Sequence, residues 1–200
     1  MASAEPSGAE LTLTTSAPAS LRLDTLEACR LVIGRYPGFR YDGRGGGGLG
    51  YADANSGALL FPPEQLTIPP LNSSTTRFLG LPLPPGVAIA IEAQELQGCW
   101  EPTQGDVRLA FRARFRFRIA VGSATLYRAP DLLIACQLSS GEAIGRRHRA
   151  CGSTLNAAGE AQLVGVAQVA PSGDALLDRF LGLPDEALAV LRCRISGAAG

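Results

Sequence analysis

The sequence contains no lysine and only one histidine, one tryptophan and one methionine among 200 residues. Without lysine, Schiff-base catalysis, a lysine general base and the phosphate-binding lysine of a P-loop are excluded. With His148 as the single histidine, a histidine-rich metal site is excluded too. All 18 basic residues are arginines, and 18 acids balance them, so the bulk composition does not favour a nucleic-acid-binding protein.

Long apolar runs and signal-peptide features are also lacking. No window approaches the roughly 18 uninterrupted apolar residues of a membrane-spanning helix. The first residues have neither a basic region nor an apolar run, which argues against secretion. Five widely spaced cysteines without a Cys-x-x-Cys pair predict reduced thiols in a cytoplasmic compartment.

The composition is that of one globular domain rich in turns. Hydrophobic residues make up 46% and charged residues 18%, while 24 glycines and 14 prolines disfavour long helices. We expect a disordered tail over residues 1–10 and a single β-rich domain over residues 11–196. Residues 42–57, which contain a run of glycines, are predicted to be a flexible loop within that domain.

The most regular pattern in the chain runs from Asp106 to Ala120. Apolar residues occupy every odd position from Val107 to Ile119, and arginines occupy most of the even ones. A period of two predicts a β-strand with one face in a core and the other in water. The apolar row includes three of the seven phenylalanines, so we expect it to form the floor of the core.

Helices are predicted at both ends of the domain. Asp24 or Thr25 can cap a helix that continues at helical spacing to Tyr36, before a Pro-Gly pair. Asp174 and Pro184 each precede a further helical pattern, which gives a C-terminal helical pair. The predicted fold is therefore a β-rich α+β domain, in which a curved antiparallel sheet or partial barrel carries these helices.

One strand, Ala161 to Val169, is apolar on both faces near its centre. Such a strand must be covered on its outer side as well as its inner side. The two C-terminal helices are the expected covering elements. The segment from Ser139 to Ser153 is predicted to be a polar loop.

Two short motifs have weak chemical interpretations. Gly43-Arg-Gly-Gly-Gly-Gly48 satisfies a dinucleotide-binding pattern, but it lacks the strand before it and the helix after it that such a site needs. His148 and Cys151 are candidates for a catalytic pair, but no third orienting group is evident. A flexible loop and an exposed loop, respectively, are the favoured interpretations.

The arginine row is the strongest candidate site in the sequence. Alternate residues on a strand lie about 6.5 to 7 Å apart, so the row can span several anionic groups. The alternative is that acids on neighbouring strands neutralise it, with Glu92, Glu95, Asp131 and Glu142 as candidates. No aromatic residues interleave with the arginines to stack bases, which disfavours nucleic acid. The candidate residues are Arg108, Arg112, Arg114, Arg116 and Arg118.

Three segments resemble a poorly characterised family of cyanobacterial and plastid proteins over about residues 66–191. They are Leu126-Tyr-Arg-Ala-Pro-Asp-Leu132, Leu163-Val-Gly-Val-Ala167 and Arg179-Phe-Leu-Gly-Leu-Pro-Asp-Glu-Ala-Leu188. The resemblance implies a photosynthetic cell and a place in the cytoplasm or at the thylakoid surface. It supplies no catalytic residues and no metal or cofactor.

Two functions follow as hypotheses. The first is a non-enzymatic accessory or assembly protein that binds an acidic protein or anionic membrane surface through the arginine row. The second is a carrier that holds a lipid or pigment in an apolar cavity of the curved sheet. An enzyme is less favoured than either because no acid–base pair or metal-ligand set is evident.

Overall fold

The computed structural model describes residues 18–34 and 39–197, and the predicted tail over residues 1–10 lies outside them. The described residues form sixteen strands, one α-helix and a 3₁₀ turn at Pro63–Gln65. The strands are β1 Ala19–Thr25, β2 Cys29–Ile33, β3 Phe39–Tyr41, β4 Gly47–Ala52, β5 Ala58–Leu60, β6 Leu66–Thr67, β7 Thr76–Phe78, β8 Leu81–Pro82, β9 Val87–Glu101, β10 Asp106–Val121, β11 Ala124–Arg128, β12 Leu132–Ser139, β13 Glu142–Ile144, β14 Arg149–Cys151, β15 Glu160–Val169 and β16 Asp185–Gly197; the helix α1 is Ala175–Leu181.

Eight strands close into an antiparallel barrel in the order β1–β4–β5–β9–β10–β12–β15–β16, because β16 also pairs with β1. The prediction of a β-rich antiparallel sheet is confirmed. The two longest strands, β9 and β10, pair from Asp106 opposite Glu101 to Ile119 opposite Val87. They form the wall from which the rest of the barrel extends.

The alternation predicted for β10 is present. Val107, Leu109 and Ala113 are fully buried, and the arginines point outward. β9 keeps its apolar side inward along its length only because the register shifts opposite Arg112 and Ala113, which leaves Gln94 as a bulge. The buried positions of β9 therefore change from odd to even numbers past the bulge.

β1 and β2 lie end to end along the same edge of β16. Thr25 in β1 is opposite Cys193, and Arg30 in β2 is opposite Val190. Beyond β1 the ring continues through β4 and β5, and beyond β2 it continues through β3, β7 and β8. We call these the β1 half and the β2 half of the barrel. A bridge between Leu71 and Ile89 joins the β2 half to β9.

The predicted N-terminal helix is wrong, since Asp24 and Thr25 end β1 and the residues from Cys29 to Ile33 form β2. The end of the prediction, at Tyr36, lies outside the described residues. Cys29, Leu31 and Ile33 alternate with Arg30 and Val32, as in a strand. The same short run also fits the spacing of a helix. The run is too short for periodicity to decide between the two. Pairing along β16 and β3 provides the hydrogen bonds that select the strand.

The predicted C-terminal helical pair is also wrong, because only its first helix exists. α1 begins as expected at Asp174, whose carboxylate accepts a 2.8 Å hydrogen bond from the Leu177 amide, and it ends at the left-handed Gly182. The second segment is instead β16, which pairs with all ten residues of β15, from Asp185 opposite Val169 to Arg194 opposite Glu160.

β15 is covered on its outer side by a hairpin, and the expectation that helices cover it is wrong. The hairpin of β13 and β14 forms within the segment predicted to be a polar loop. Ala143 and Ala150 of the hairpin pack on an outer apolar cluster. The cluster consists of Val32, Val164, Leu188 and Val190, with Val166 beside it.

A buried carboxylate holds this hairpin in place. Glu186 is fully buried, and its oxygens accept hydrogen bonds from the backbone amides of Arg146 at 2.7 Å, Arg147 at 3.2 Å and His148 at 2.9 Å. Gln168 donates a fourth bond at 3.2 Å. Burial alone raises the pKa of Glu186, but these four donors together lower it below its ordinary value.

The glycine-rich segment is not free of regular structure, because Gly47 to Ala52 form β4. Gly47 has a φ of +132°, and a Cβ there would lie 2.0 Å from the carbonyl oxygen of Leu23 in β1. Glycine at this position is therefore needed for close approach of two strands and gives no support to a phosphate site. The flexibility predicted for residues 42–57 stays a prediction.

Glu186→Gln is expected to lower the free energy of unfolding at pH 7 by about 1–3 kcal/mol, because the amide nitrogen that replaces one oxygen cannot accept from the two donors that face it. The pKa of the carboxyl is lowered from 4.5. The stabilisation that the ionised Glu186 carboxylate gives to the fold is therefore complete above about pH 4.5, and it is lost as the pH falls through the folded-state pKa. The difference in unfolding free energy between the wild type and Glu186→Gln should become smaller in that acid range. Urea unfolding at several pH values measures it.

Glu142→Gln is the control, since Glu142 is exposed and its contacts with Arg149 and the Cys151 thiol lie on the hairpin surface. It should change stability little. Equal stability of wild type and Glu186→Gln from neutral to acid pH would contradict the anchoring role of Glu186.

Candidate functional site

The predicted arginine row lies on the outer surface of β10. Arg108, Arg112 and Arg118 are exposed, and Arg114 and Arg116 are half-buried. The side chains of Arg112, Arg114 and Arg116 retain 58%, 34% and 38% of their accessible surface. The row is therefore in contact with solvent along its length.

Acids on the neighbouring strands neutralise the centre of the row, as the alternative interpretation of the sequence predicts. Three of its four candidate acids take part, and Glu142 pairs elsewhere, with Arg149. The pairs are Arg112–Glu95 at 3.7 Å, Arg114–Asp131 at 3.4 Å, Arg116–Glu92 at 2.7 Å and Arg116–Asp131 at 3.4 Å.

Only the two ends of the row, Arg108 and Arg118, form no ion pair with any described residue. They are separated by the paired centre, so the row is not a continuous positive face. Binding of an acidic protein or anionic surface by these five arginines stays a prediction.

A second candidate site lies inside the β2 half of the barrel. Here a set of apolar side chains points inward but is only half-buried, in contrast to the fully buried Phe61 and Leu109 of the β1 half. We call this region the apolar chamber. Its half-buried side chains are Leu31, Ile33, Phe39, Phe78, Ile91, Phe111, Phe115, Phe117, Cys136 and Leu191.

The chamber is aromatic on one side and lined by small residues on the other. It contains five of the seven phenylalanines, and Phe39 and Phe78 stack with ring centroids 4.8 Å apart. The cavity has a volume of about 50 Å³, and Phe111 and Phe115 are the phenylalanines that line it. On the opposite wall, β15 and β16 contribute mainly small residues, with Leu188 as the one large side chain. The small residues there are Gly165, Ala167, Ala187 and Ala189.

The backbone ladder between β12 and β15 is short beside the cavity. One residue pair, Ser139 opposite Val164, registers between them, whereas β15 and β16 pair over ten. The two strands stay close beyond that pair, since a Cβ at Gly165 would lie 2.7 Å from the Gln137 carbonyl oxygen. α1 packs nearby, with Leu177 and Leu181 among the residues around Phe115 and Phe117. The chamber is thus bounded by side-chain packing more than by a continuous ladder.

No charged side chain lines the cavity. The one titratable group in its wall is the Cys136 thiol, and burial raises its pKa to about 11. The thiol is therefore neutral near pH 7, and the lining is apolar throughout. Such a surface favours an uncharged, apolar occupant.

The possible catalytic pair of His148 and Cys151 is not assembled. His148 is held by its backbone at Glu186, and the exposed Cys151 lies 3.9 Å from the Glu142 carboxylate. Among the described residues, no hydrogen bond joins the two side chains, and no group of three or more His, Cys, Asp or Glu is arranged to hold a metal ion.

Comparison of the chain with protein-family models, with curated proteins and with solved structures finds no match. The resemblance to cyanobacterial and plastid proteins, and the thylakoid setting that it implies, therefore stay predictions. No helix within residues 18–34 and 39–197 is long and apolar enough to cross a bilayer.

The sequence predicted an apolar cavity as one of two alternatives but did not place it. Phe111, Phe115 and Phe117 were expected in the core because they alternate with arginines. Their partial exposure depends on which strands face them across the barrel, which no local pattern encodes. The small residues of β15 and β16 were a usable signal, since Gly165, Ala167 and Ala189 remove volume at inward positions.

Reversing two charges of the row tests whether its arginines are structural. Arg112→Glu combined with Arg116→Glu should leave the protein folded, because exposed ion pairs contribute about 1 kcal/mol or less each. Melting followed by circular dichroism should show a fall of only a few degrees.

The matched control is the charge swap Glu92→Arg with Arg116→Glu, which keeps an opposite-charge pair across β9 and β10. It should melt closer to the wild type than Arg116→Glu alone does. An insoluble double mutant, or one that melts far below wild type, would contradict the solvent-exposed placement of the row.

Proposed function

We propose that the protein is a carrier that holds the apolar part of a lipid or pigment in the apolar chamber. The observation that supports this is the half-burial of five inward-facing phenylalanines. A barrel that served only as a scaffold would gain stability by burying them, as it buries Phe61 completely.

The enclosed cavity of about 50 Å³ is much smaller than the roughly 300–1,000 Å³ of pockets that surround a whole ligand. It therefore suits one end of a ligand, such as a terminal chain segment or a ring. The rest of the ligand would lie along the half-exposed aromatic side chains. Each methylene group so buried contributes about 0.8 kcal/mol.

The lining also restricts the chemistry of the ligand. It offers apolar surface and aromatic faces, and it offers neither a charge nor an activated nucleophile, since the Cys136 thiol is neutral. Binding without covalent attachment follows. The inserted part of the ligand is uncharged, and any polar headgroup remains outside the chamber.

The direct test is to purify the protein from its native cell, extract it with organic solvent and identify bound molecules by mass spectrometry. An absorbance band in the visible region distinguishes a pigment from a colourless lipid. An extract that contains no apolar compound in stoichiometric amount would count against a carrier.

A cavity-filling variant gives an independent prediction. Ala189→Leu places a larger apolar side chain in the cavity, so it should weaken binding of the neutral dye N-phenyl-1-naphthylamine by about tenfold or more while the melting temperature holds or rises. Dye fluorescence titration and thermal melting measure the two effects.

The control is Leu60→Ser, which changes an apolar side chain on the outer surface that is 46% exposed. It should leave dye binding unchanged. Equal dye affinity of the wild type and Ala189→Leu, with Ala189→Leu folded, would rule out the chamber as the binding site.

A further inference from the structure

Three arginines lie directly opposite one another on adjacent strands of the β2 half. Arg30 in β2 is opposite Arg40 in β3, and Arg40 is opposite Arg77 in β7. All three are exposed. Directly opposite residues have Cβ atoms about 4.5–5.5 Å apart, and like charges at that spacing destabilise a sheet. We call this set the arginine ladder.

The ladder has no acidic partner among the described residues, although the chain has as many acids as bases. Asp42, two residues beyond Arg40, binds Arg44 at 2.7 Å instead. Eight other arginines do form ion pairs: Arg22, Arg44, Arg112, Arg114, Arg116, Arg147, Arg149 and Arg194. The ladder is distinguished from the other described arginines without an ion pair by the direct opposition of its three charges. Those others are Arg108, Arg118, Arg128, Arg146, Arg179 and Arg192.

The ladder adjoins an exposed apolar tip. β7 and β8 are joined by the tight turn Leu79-Gly80, and the side chains of Leu79 and Leu81 are each 70% exposed. Leu79 has a φ of +52°, a conformation that turns of this kind usually reserve for Asn, Asp or Gly. Local turn stability does not explain a leucine there, whereas presentation of an apolar side chain does.

A second hairpin repeats this combination. Arg118 in β10 is opposite Arg128 in β11, and neither forms an ion pair with a described residue. Val121 and Leu126, near the turn of this hairpin, are 65% and 67% exposed. Two hairpins thus present apolar tips backed by unpaired arginines.

Both tips point to the same end of the barrel. Pairing is antiparallel at every step from β10 through β12, β15, β16, β2 and β3 to β7, so β7 and β10 run in the same direction. The base of the β7–β8 hairpin is held at the end of β10. The Ala120 amide donates a 2.9 Å hydrogen bond to the carbonyl of Gly86, which follows β8, and Asn72 to Ser74, which precede β7, line a cleft with Val121 and Gly122. The combined surface is one end of the molecule.

We propose that this end docks on the surface of an anionic lipid bilayer. A bilayer offers phosphate groups, which the planar guanidinium binds well, directly above hydrocarbon that accepts leucine and valine side chains. Each basic residue near an anionic membrane contributes about 1 kcal/mol of attraction. Protruding tips fit a deformable surface that supplies both chemistries, whereas nucleic acid has no hydrocarbon to receive them.

The test is flotation of the purified full chain with phosphatidylcholine vesicles, with and without an equal share of phosphatidylglycerol. The wild type should float with the anionic vesicles and not with the neutral ones, and high salt should release it. Flotation with neither kind of vesicle, or equally with both, would overturn the proposal.

Two variants test the contributions of the charge and of the apolar tip to vesicle binding separately. Arg40→Glu should reduce partition onto anionic vesicles by roughly tenfold or more. Leu79→Asn should reduce it as well while holding or raising the melting temperature, because Asn suits the turn. Loss of binding in Leu79→Asn therefore cannot be attributed to unfolding.

Arg108→Glu is the matched control, as an exposed and unpaired arginine near the start of β10, at the other end of the barrel. A loss equal to that of Arg40→Glu would overturn the assignment to this surface. If soluble polyglutamate displaced the protein from vesicles and Leu79→Asn bound them normally, an acidic protein would be the partner and the membrane proposal would fail. Docking does not depend on the chamber, so Ala189→Leu should float like the wild type.

Discussion

The backbone hydrogen bonds of β16 are the constraint on which the fold depends. One edge of this strand pairs with β15 along ten residues, and the other edge is shared between β2 and β1. Four residues lie between Thr25 and Arg30, but only two residues of β16 lie between their partners Cys193 and Val190, so the chain must detour. It does so at Ala28, which has a φ of +62°, and the Leu26 amide donates to the Arg192 carbonyl at 2.8 Å.

This detour divides the barrel into two interiors of different character. The β1 half closes through short strands and buries its side chains, with Phe61, Leu109 and Leu163 fully inaccessible. The β2 half closes through β3, β7 and a single bridge at Leu71, and β12 and β15 in its opposite wall register at one residue pair. A well-packed core thus supplies the stability that an incompletely packed chamber does not.

The elements that could be predicted from the sequence are strands that pair along both edges and have one of their two faces in water. β10 is the clear example, because its alternation of apolar residues and arginines has no helical equivalent. β2 and β16 were mistaken for helices because both of their faces are apolar or mixed. Leu188 and Val190 are buried under the β13–β14 hairpin, so the period-two signal is lost, and leucine and alanine then favour a helix by propensity.

The sequence is limited in the same way when it is used to predict which charged residues are neutralised by a partner. Spacing along β10 identified a row of arginines, yet whether a row is neutral depends on which acids lie across from it, and the bulge at Gln94 brings Glu92 and Glu95 into place. The arginine ladder has no spacing to notice, because Arg30, Arg40 and Arg77 are far apart in sequence and meet only through strand order. An overall charge of zero conceals both arrangements. Where acids and bases are equal in number, the informative quantity is the local imbalance that the topology creates, and here it lies at the end of the barrel that also exposes its leucines.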